Sequence, residues 1–191
     1  MIKQQIPEQL VRDFEPKRSW LAHDSQLHAV DHMARVFIMQ ELICQQLASQ
    51  GVTVNRTATR FATMVHDVGR IDDGADPQHG SRSAAWMRQN LADKMSPTDM
   101  DVASYIVHWH VPDDSEAPVM TTELQVMKDA DGLDRVRLGD LDVSRLRTDA
   151  AKTLVGIAKE LETLSSSADG GPASFENVID AAKQIGLIGG I

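Results

Sequence analysis

Apolar positions recur at helical spacing along most of the chain. Between about residues 25 and 50, His28, His32, Val36, Met39 and Ile43 fall on one stripe, at the three-to-four spacing of a helix face. Gly51 closes this segment in the manner of a C-terminal glycine. Ala58, Phe61, Val65 and Val68 repeat the pattern and predict a second helix over about 55–68. GRIDDGADPQHG (69–80) is loop composition, and a third helix is expected over about 81–93. Ser96-Pro97-Thr98-Asp99 reads as an N-cap, a proline at the first helical position and an early acid. That helix runs to about His110 and stops at Pro112. Beyond DDSEAP, helices are expected over 121–136 and 144–164, then a linker (SSSADGGP, 165–172) and a short closing helix capped by Ser174. Only VTV and PVM are candidate strands, and neither alternates over a sustained stretch. The pattern predicts an all-α bundle, with residues 1–164 as the main domain and 165–191 as linker and closing helix. The apolar end LIGGI would dock on the domain, pair with another subunit, or fray.

The 191 residues are 42% hydrophobic and 25% charged, the balance of a folded globule. A chain of this length buries roughly 70% of its unfolded surface without help from disulfides. No apolar run approaches the ~18 residues of a membrane span, and MIKQQIPEQL lacks the apolar region of a secretory signal. Cys44 is the only cysteine, so neither an internal disulfide nor a cysteine-rich metal site is expected, and the setting reads as reducing and cytoplasmic. Charge excludes more. Asp and Glu number 28 against 19 Lys and Arg, a net −9. An acidic chain without a basic run cannot drive duplex nucleic-acid binding by counterion release. It can still handle a phosphorylated substrate if bound cations supply the positive charge.

The histidines raise that question. Seven occur, and His32, the adjacent His66-Asp67, His79, His110 and Asp131 all lie near core-facing stripes or helix edges. His110 follows Ile106 by four and Ala103 by seven, so it faces inward, whereas His108 lies about 200° round the helix and faces solvent or a supporting position. Asp131 likewise follows Met127 by four and Leu124 by seven, while Asp129 points elsewhere. An aspartate on an apolar face is costly to bury without a positive partner, and a metal ion is such a partner. Arg70 suits a phosphate contact as well as a surface position. Lys128 reads first as a solvated helix lysine, with substrate contact as the alternative. Arg35 and Arg135 read as ion-pair residues, and Asp72, Asp73 and Asp76 as a solvated loop. Trp86 and Trp109 read as packing residues, and Cys44 as a buried structural thiol.

The segments HMARV (32–36), MVHDVGR (64–70), HGSRSA (79–84), IVHWH (106–110) and KDADGLDRV (128–136) resemble, in order and spacing, the HD-domain superfamily over about residues 25–140. The resemblance implies a helical bundle with a metal site in its core. There His32, His66, Asp67 and Asp131 bind a divalent ion, His79 and His110 add ligands for a second, and Asp67 bridges the two. His28, one turn before His32, can reach the same region. Many relatives carry HDIGK where this chain has HDVGR, and His110-Val111 replaces the HH pair of the cyclic-dinucleotide branch, whose GYP triplet is absent. Cyclic-dinucleotide hydrolysis is therefore not favoured.

Imidazole and carboxylate without thiolate suit Fe or Mn first, with Zn, Ni, Co or Mg also accommodated, and a bridging carboxylate holds two ions ~3.5–4 Å apart. The activity implied is metal-dependent phosphohydrolysis of a small phosphoester, a nucleotide or a related phosphomonoester or diester. A metal-bound hydroxide attacks phosphorus, with Asp67 at the centre, His28 or His108 protonating the leaving group, and Arg70 and Lys128 as substrate contacts. A di-iron oxygenase and a non-catalytic metal-stabilised ligand-binding module share this ligand pattern and are the alternatives. Loops 70–78 and 111–120 are expected to shape the pocket. Oligomeric state carries no signal.

Overall fold

The longest apolar stretch of the chain becomes its central helix. A computed structural model describes residues 5–25, 27–166 and 174–189. Within them run β1 (Ile6–Pro7), α1 (Glu8–Asp13), α2 (Val30–Ser49), α3 (Arg56–Val65), α4 (His79–Asn90), α5 (Pro97–Trp109) and α6 (Thr122–Asp134), followed by α7 (Asp149–Lys152), α8 (Val155–Ser165), α9 (Phe175–Gln184) and β2 (Ile188–Gly189). From Asp31 to Cys44 every residue of α2 is buried, as befits a helix without a continuous polar face. Helices α3, α6, α8 and α9 pack round it, and α5 joins α4 to α3 and α6. The architecture is all-α, as the periodicity predicts.

Caps set the helix starts. Asn55, Ser96 and Thr121 accept the backbone N–H three residues on, and Ser174 forms a reciprocal capping box with Asn177, each satisfying donors that a helix N-terminus leaves open. Gly51, at φ +81°, follows the end of α2. That helix begins later than its periodicity suggests, at Val30, because the Ser25 hydroxyl accepts from the N–H groups of Leu27 and His28 and holds them in a turn.

The expected helix over 144–164 is broken into a 3-10 turn (Val143–Arg145), α7 and α8. Local side-chain bonds win there. The buried Asp129 carboxylate accepts from the N–H groups of Arg147 and Thr148 and from the Thr148 hydroxyl, an alternative to helical pairing that Ser, Thr and Asp readily offer. Neither VTV nor PVM forms a strand; among the described residues the strands are β1 and β2, paired in parallel with Ile6 opposite Ile188. Leu187 and Ile188 are buried, so this part of the chain end docks on the domain. Helix α9 buries Phe175, Val178 and Ile179 in the same core. The expected linker falls largely on residues 167–173, and the final Gly-Ile of LIGGI on 190–191, which lie outside the described residues. Among the described residues no helix is long and apolar enough to cross a membrane.

Candidate metal centre

Three histidines are aimed by backbone carbonyls and a fourth by a carboxylate. Helix α3 ends at Val65, so His66 stands at its C-terminal cap, where its Nδ1 donates to the Thr63 carbonyl at 2.8 Å. His110 caps α5 in the same way, on the Val107 carbonyl at 2.6 Å. His79 opens α4 and donates to the Asp76 carbonyl, also at 2.6 Å. The fourth, His32 in the first turn of α2, donates Nδ1–H to the Asp134 carboxylate at 2.7 Å. Carbonyls and carboxylates only accept, so each Nδ1 carries a proton, and in the neutral ring each Nε2 presents a lone pair.

Those lone pairs face one another. His32 Nε2 lies 3.2 Å from His66 Nε2, and His79 Nε2 lies 3.1 Å from His110 Nε2. With each imidazole neutral, no proton lies between either pair, and each contact is lone-pair repulsion that a cation would relieve. Two imidazole nitrogens ~2.0–2.1 Å from one ion are themselves ~3 Å apart. The donor set therefore fits divalent metal.

Asp67 joins the two pairs. Its Oδ2 lies 3.4 Å from His32 Nε2, 3.5 Å from His66 Nε2 and 2.9 Å from His28 Nδ1. Its Oδ1 lies 3.1 Å from His79 Nε2 and 3.1 Å from Arg70 Nε. Asp131 Oδ1 lies 3.5 Å from His32 Nε2. Three overlapping groups could each hold an ion: His28, His32 and Asp67; His32, His66 and Asp131; and Asp67, His79 and His110.

Burial keeps these ligands in the state that binds metal. Desolvation holds His66 below the usual imidazole range, and His110 is pushed down to about 3, with repulsion from His66 and His79 adding to its burial. His28 is also lowered, chiefly by desolvation. His32 differs. Burial and Arg137 pull it down, but the Asp134 and Asp67 carboxylates reverse the sign and raise it. Desolvation opposes ionisation of Asp67, yet the surrounding histidines hold it well below the carboxylate range; Asp131 is lowered against its own burial mainly by His32 and His66. Asp134 sits at about 2 despite its burial, because the Arg35 guanidinium and His32 favour its charge.

Two glycines allow the helix ends to converge. A Cβ on Gly80 would lie 2.7 Å from the Val107 carbonyl and 2.9 Å from that of His108, so glycine lets α4 reach the end of α5 and bring His79 to His110. A Cβ on Gly69 would meet the Ser83 nitrogen at 2.6 Å. Instead the Gly69 N–H donates to the Ser83 hydroxyl, tying the His66-Asp67 turn to α4.

The structure brings His28, His32, His66, Asp67, His79, His110 and Asp131 together, and not His108. His108 is exposed on the outer face of α5, its ring 4.7 Å from that of Trp109. Arg70 reaches inward onto Asp67 and is braced by the Gly74 carbonyl. Lys128 departs from the solvated reading: its side chain is 4% exposed, bound to Asp114 and to the Pro112 carbonyl. Of the acidic loop, Asp72 is exposed as expected, while the other two aspartates are tied down. Asp76 is buried against Arg82 and the Ile71 N–H, and Asp73 accepts from Ser25. Asp129 points away from the cluster, as its position predicts, but is fully buried.

Asp134 was not legible from the stripe through Asp131. Arg35, three residues after His32 on a buried helix, was the available signal, since a buried guanidinium needs an acid; here its Nε meets Asp134 at 2.6 Å and its Nη1 meets Asp31 at 3.0 Å. A cleft of about 790 Å³ opens beside His110 and Asp131. Its walls are 110–115, one face of α6 with Lys128, Asp131 and Gly132, then Arg135, 140–142 and 144–147, so the loop over 70–78 does not line it, and the segment after α6 does.

The family model described as HD domain matches residues 29–136, more than half of the chain. No curated protein and no solved structure matches it.

Proposed function

The chain belongs to the HD-domain family, and on that premise we propose that it is a metal-dependent phosphohydrolase acting on a small phosphoester, a nucleotide or related phosphomonoester or diester. The observation that carries this reading is the pairing of imidazole lone pairs, His32 with His66 and His79 with His110, on opposite oxygens of Asp67. One ion would be held by His32, His66, Asp131 and Asp67 Oδ2, and a second by His79, His110 and Asp67 Oδ1. Divalent ions there supply Lewis acidity to a phosphoryl oxygen and lower the pKa of water.

The chain does the rest. Arg70 and His28 hold the Asp67 carboxylate from either side, fixing which oxygen serves which histidine pair. Asp134 fixes the His32 ring, and the carbonyls of Thr63, Asp76 and Val107 fix the other three. To His28, the partly exposed imidazole on Asp67, this reading assigns the passing of a proton to a leaving oxygen.

Elemental analysis of anaerobically purified protein, followed by phosphate release from a phosphoester panel, tests the proposal. About two Fe or Mn per chain with phosphate released under nitrogen supports it. No metal after reconstitution, or oxygen uptake without phosphate release, overturns it; the latter would move the chain to the di-iron oxygenases.

A further inference from the structure

In the cleft beside the metal centre, two cations, Lys128 and Arg147, converge on one carboxylate, Asp114. Lys128 lies three residues before Asp131 on α6, and so on the same face. Its buried ammonium meets Asp114 Oδ1 at 2.9 Å. Arg147, from the opposite wall, grips the same carboxylate with both arms of its fork, Nη2 to Oδ1 at 2.7 Å and Nε to Oδ2 at 2.9 Å. The seat is braced from behind: Arg147 Nη1 donates to the Arg145 carbonyl at 3.1 Å, and its backbone N–H to Asp129 at 2.8 Å.

Asp114, by contrast, stands on the exposed connection between α5 and α6, with 44% of its side chain open to solvent. A fork and an ammonium converging on one oxyanion is how proteins recognise phosphate and carboxylate. Burying a lysine for the sake of one half-exposed ion pair and the Pro112 carbonyl gains little. Burying it where a ligand's charge will arrive has a use.

We propose that Lys128 and Arg147 form a second anion site, that Asp114 is its resident stand-in, and that the substrate carries, besides the phosphoryl group at the metal centre, a further phosphate or carboxylate that displaces Asp114. The placement of the reacting group rests on the phosphohydrolase reading; the seat itself does not. The depressed pKa of Asp114, about 2 because of Arg147 and then Lys128, is consistent with how firmly the seat holds an anion.

Calorimetric titration of inorganic phosphate into the metal-loaded full chain tests this. Asp114→Asn is expected to bind one more phosphate per chain than the unsubstituted protein, or the same phosphate about tenfold more tightly, as removal of a competitor filling the seat about nine-tenths of the time requires. Adding Arg147→Gln should abolish the gain, and adding Arg147→Lys should keep part of it. No gain in Asp114→Asn, or a gain that survives Arg147→Gln, overturns the proposal. Asp114→Ser guards against a local effect of asparagine and must give the same gain. If the phosphohydrolase reading fails instead, phosphate at the metal centre disappears from every variant alike while the difference made by Asp114→Asn remains.

Discussion

Asp134 shows how much of this site lies behind the ligands. It touches no other member of the cluster than His32, yet it fixes that ring's tautomer and is itself held by Arg35. Asp134→Asn keeps the shape and removes the charge, so His32 loses basicity and orientation. Loss of such a supporting carboxylate typically costs 10–100-fold in metal affinity, and a competition titration against a chromophoric chelator should find a loss of about that size. The same residue predicts an acid limit. Its folded pKa of about 2 lies below the ordinary 3.8, so the unfolded chain takes up the proton first as pH falls. The stability this carboxylate contributes is complete above about 4 and is lost as pH drops through about 2. Thermal melts between pH 6 and 2.5 should show the decline, and Asp134→Asn should flatten it. Lys128 teaches a different lesson at this scale. The three-residue spacing that shares a face with Asp131 also applied to Lys128, but composition argued for a solvated lysine, because nothing in the sequence places Asp114 and Pro112 across from it.

Between elements, the site depends on contacts that side-chain periodicity does not encode. The stripes through His32, His110 and Asp131 are legible because each helix repeats every 3.6 residues. That α4 can approach the end of α5 depends on an absent side chain. Gly80→Ala places a methyl group 2.7 Å from the Val107 carbonyl, backbone that cannot rotate away, and overpacking of this kind costs about 1–3 kcal/mol. The melting temperature should fall, and His79 and His110 should part, so metal content is expected to drop toward one ion per chain by elemental analysis. Gly156→Ala in the first turn of α8 is the control: nothing lies within 4 Å of its Cβ position, and alanine there should leave stability unchanged or raise it by less than the ~0.8–1 kcal/mol of a helix interior. The broken helix after α6 marks the limit of pattern reading. Residues 144–164 carry helical spacing, but Asp129 collects the donors of Arg147 and Thr148 from 18 and 19 residues away, and no local window contains that partner. The displaced segment is the wall that carries Arg145 and Arg147 into the cleft.

For the whole molecule, the all-α class followed from periodicity, whereas closure of the chain did not. Two residues at each end pair as β1 and β2, 181 residues apart at Gln5 and Gly186 where a side-chain bond extends the contact, and so short a strand leaves no alternation to detect. The central helix ties this closure to the metal centre, since α2 carries His32 and packs against α6, α8 and α9. Metal should therefore stabilise the entire fold. The centre gathers imidazoles whose neutral lone pairs repel, and it holds the Asp67 carboxylate in a buried setting; the unfolded chain disperses them at no such cost. An ion that binds only the folded chain stabilises it by about 2.7 kcal/mol at a hundred times its dissociation constant, which for a domain of this size raises the midpoint by roughly 5–11 °C. Differential scanning calorimetry of the manganese-loaded protein should show that rise relative to chelator-treated protein, increasing with the logarithm of free metal. In Asp67→Asn the dependence should nearly vanish, because the one carboxylate shared by both histidine pairs would no longer be an anion. A midpoint indifferent to manganese, iron and zinc alike would mean that the cluster tolerates its own repulsion, and the metal reading would have to be abandoned.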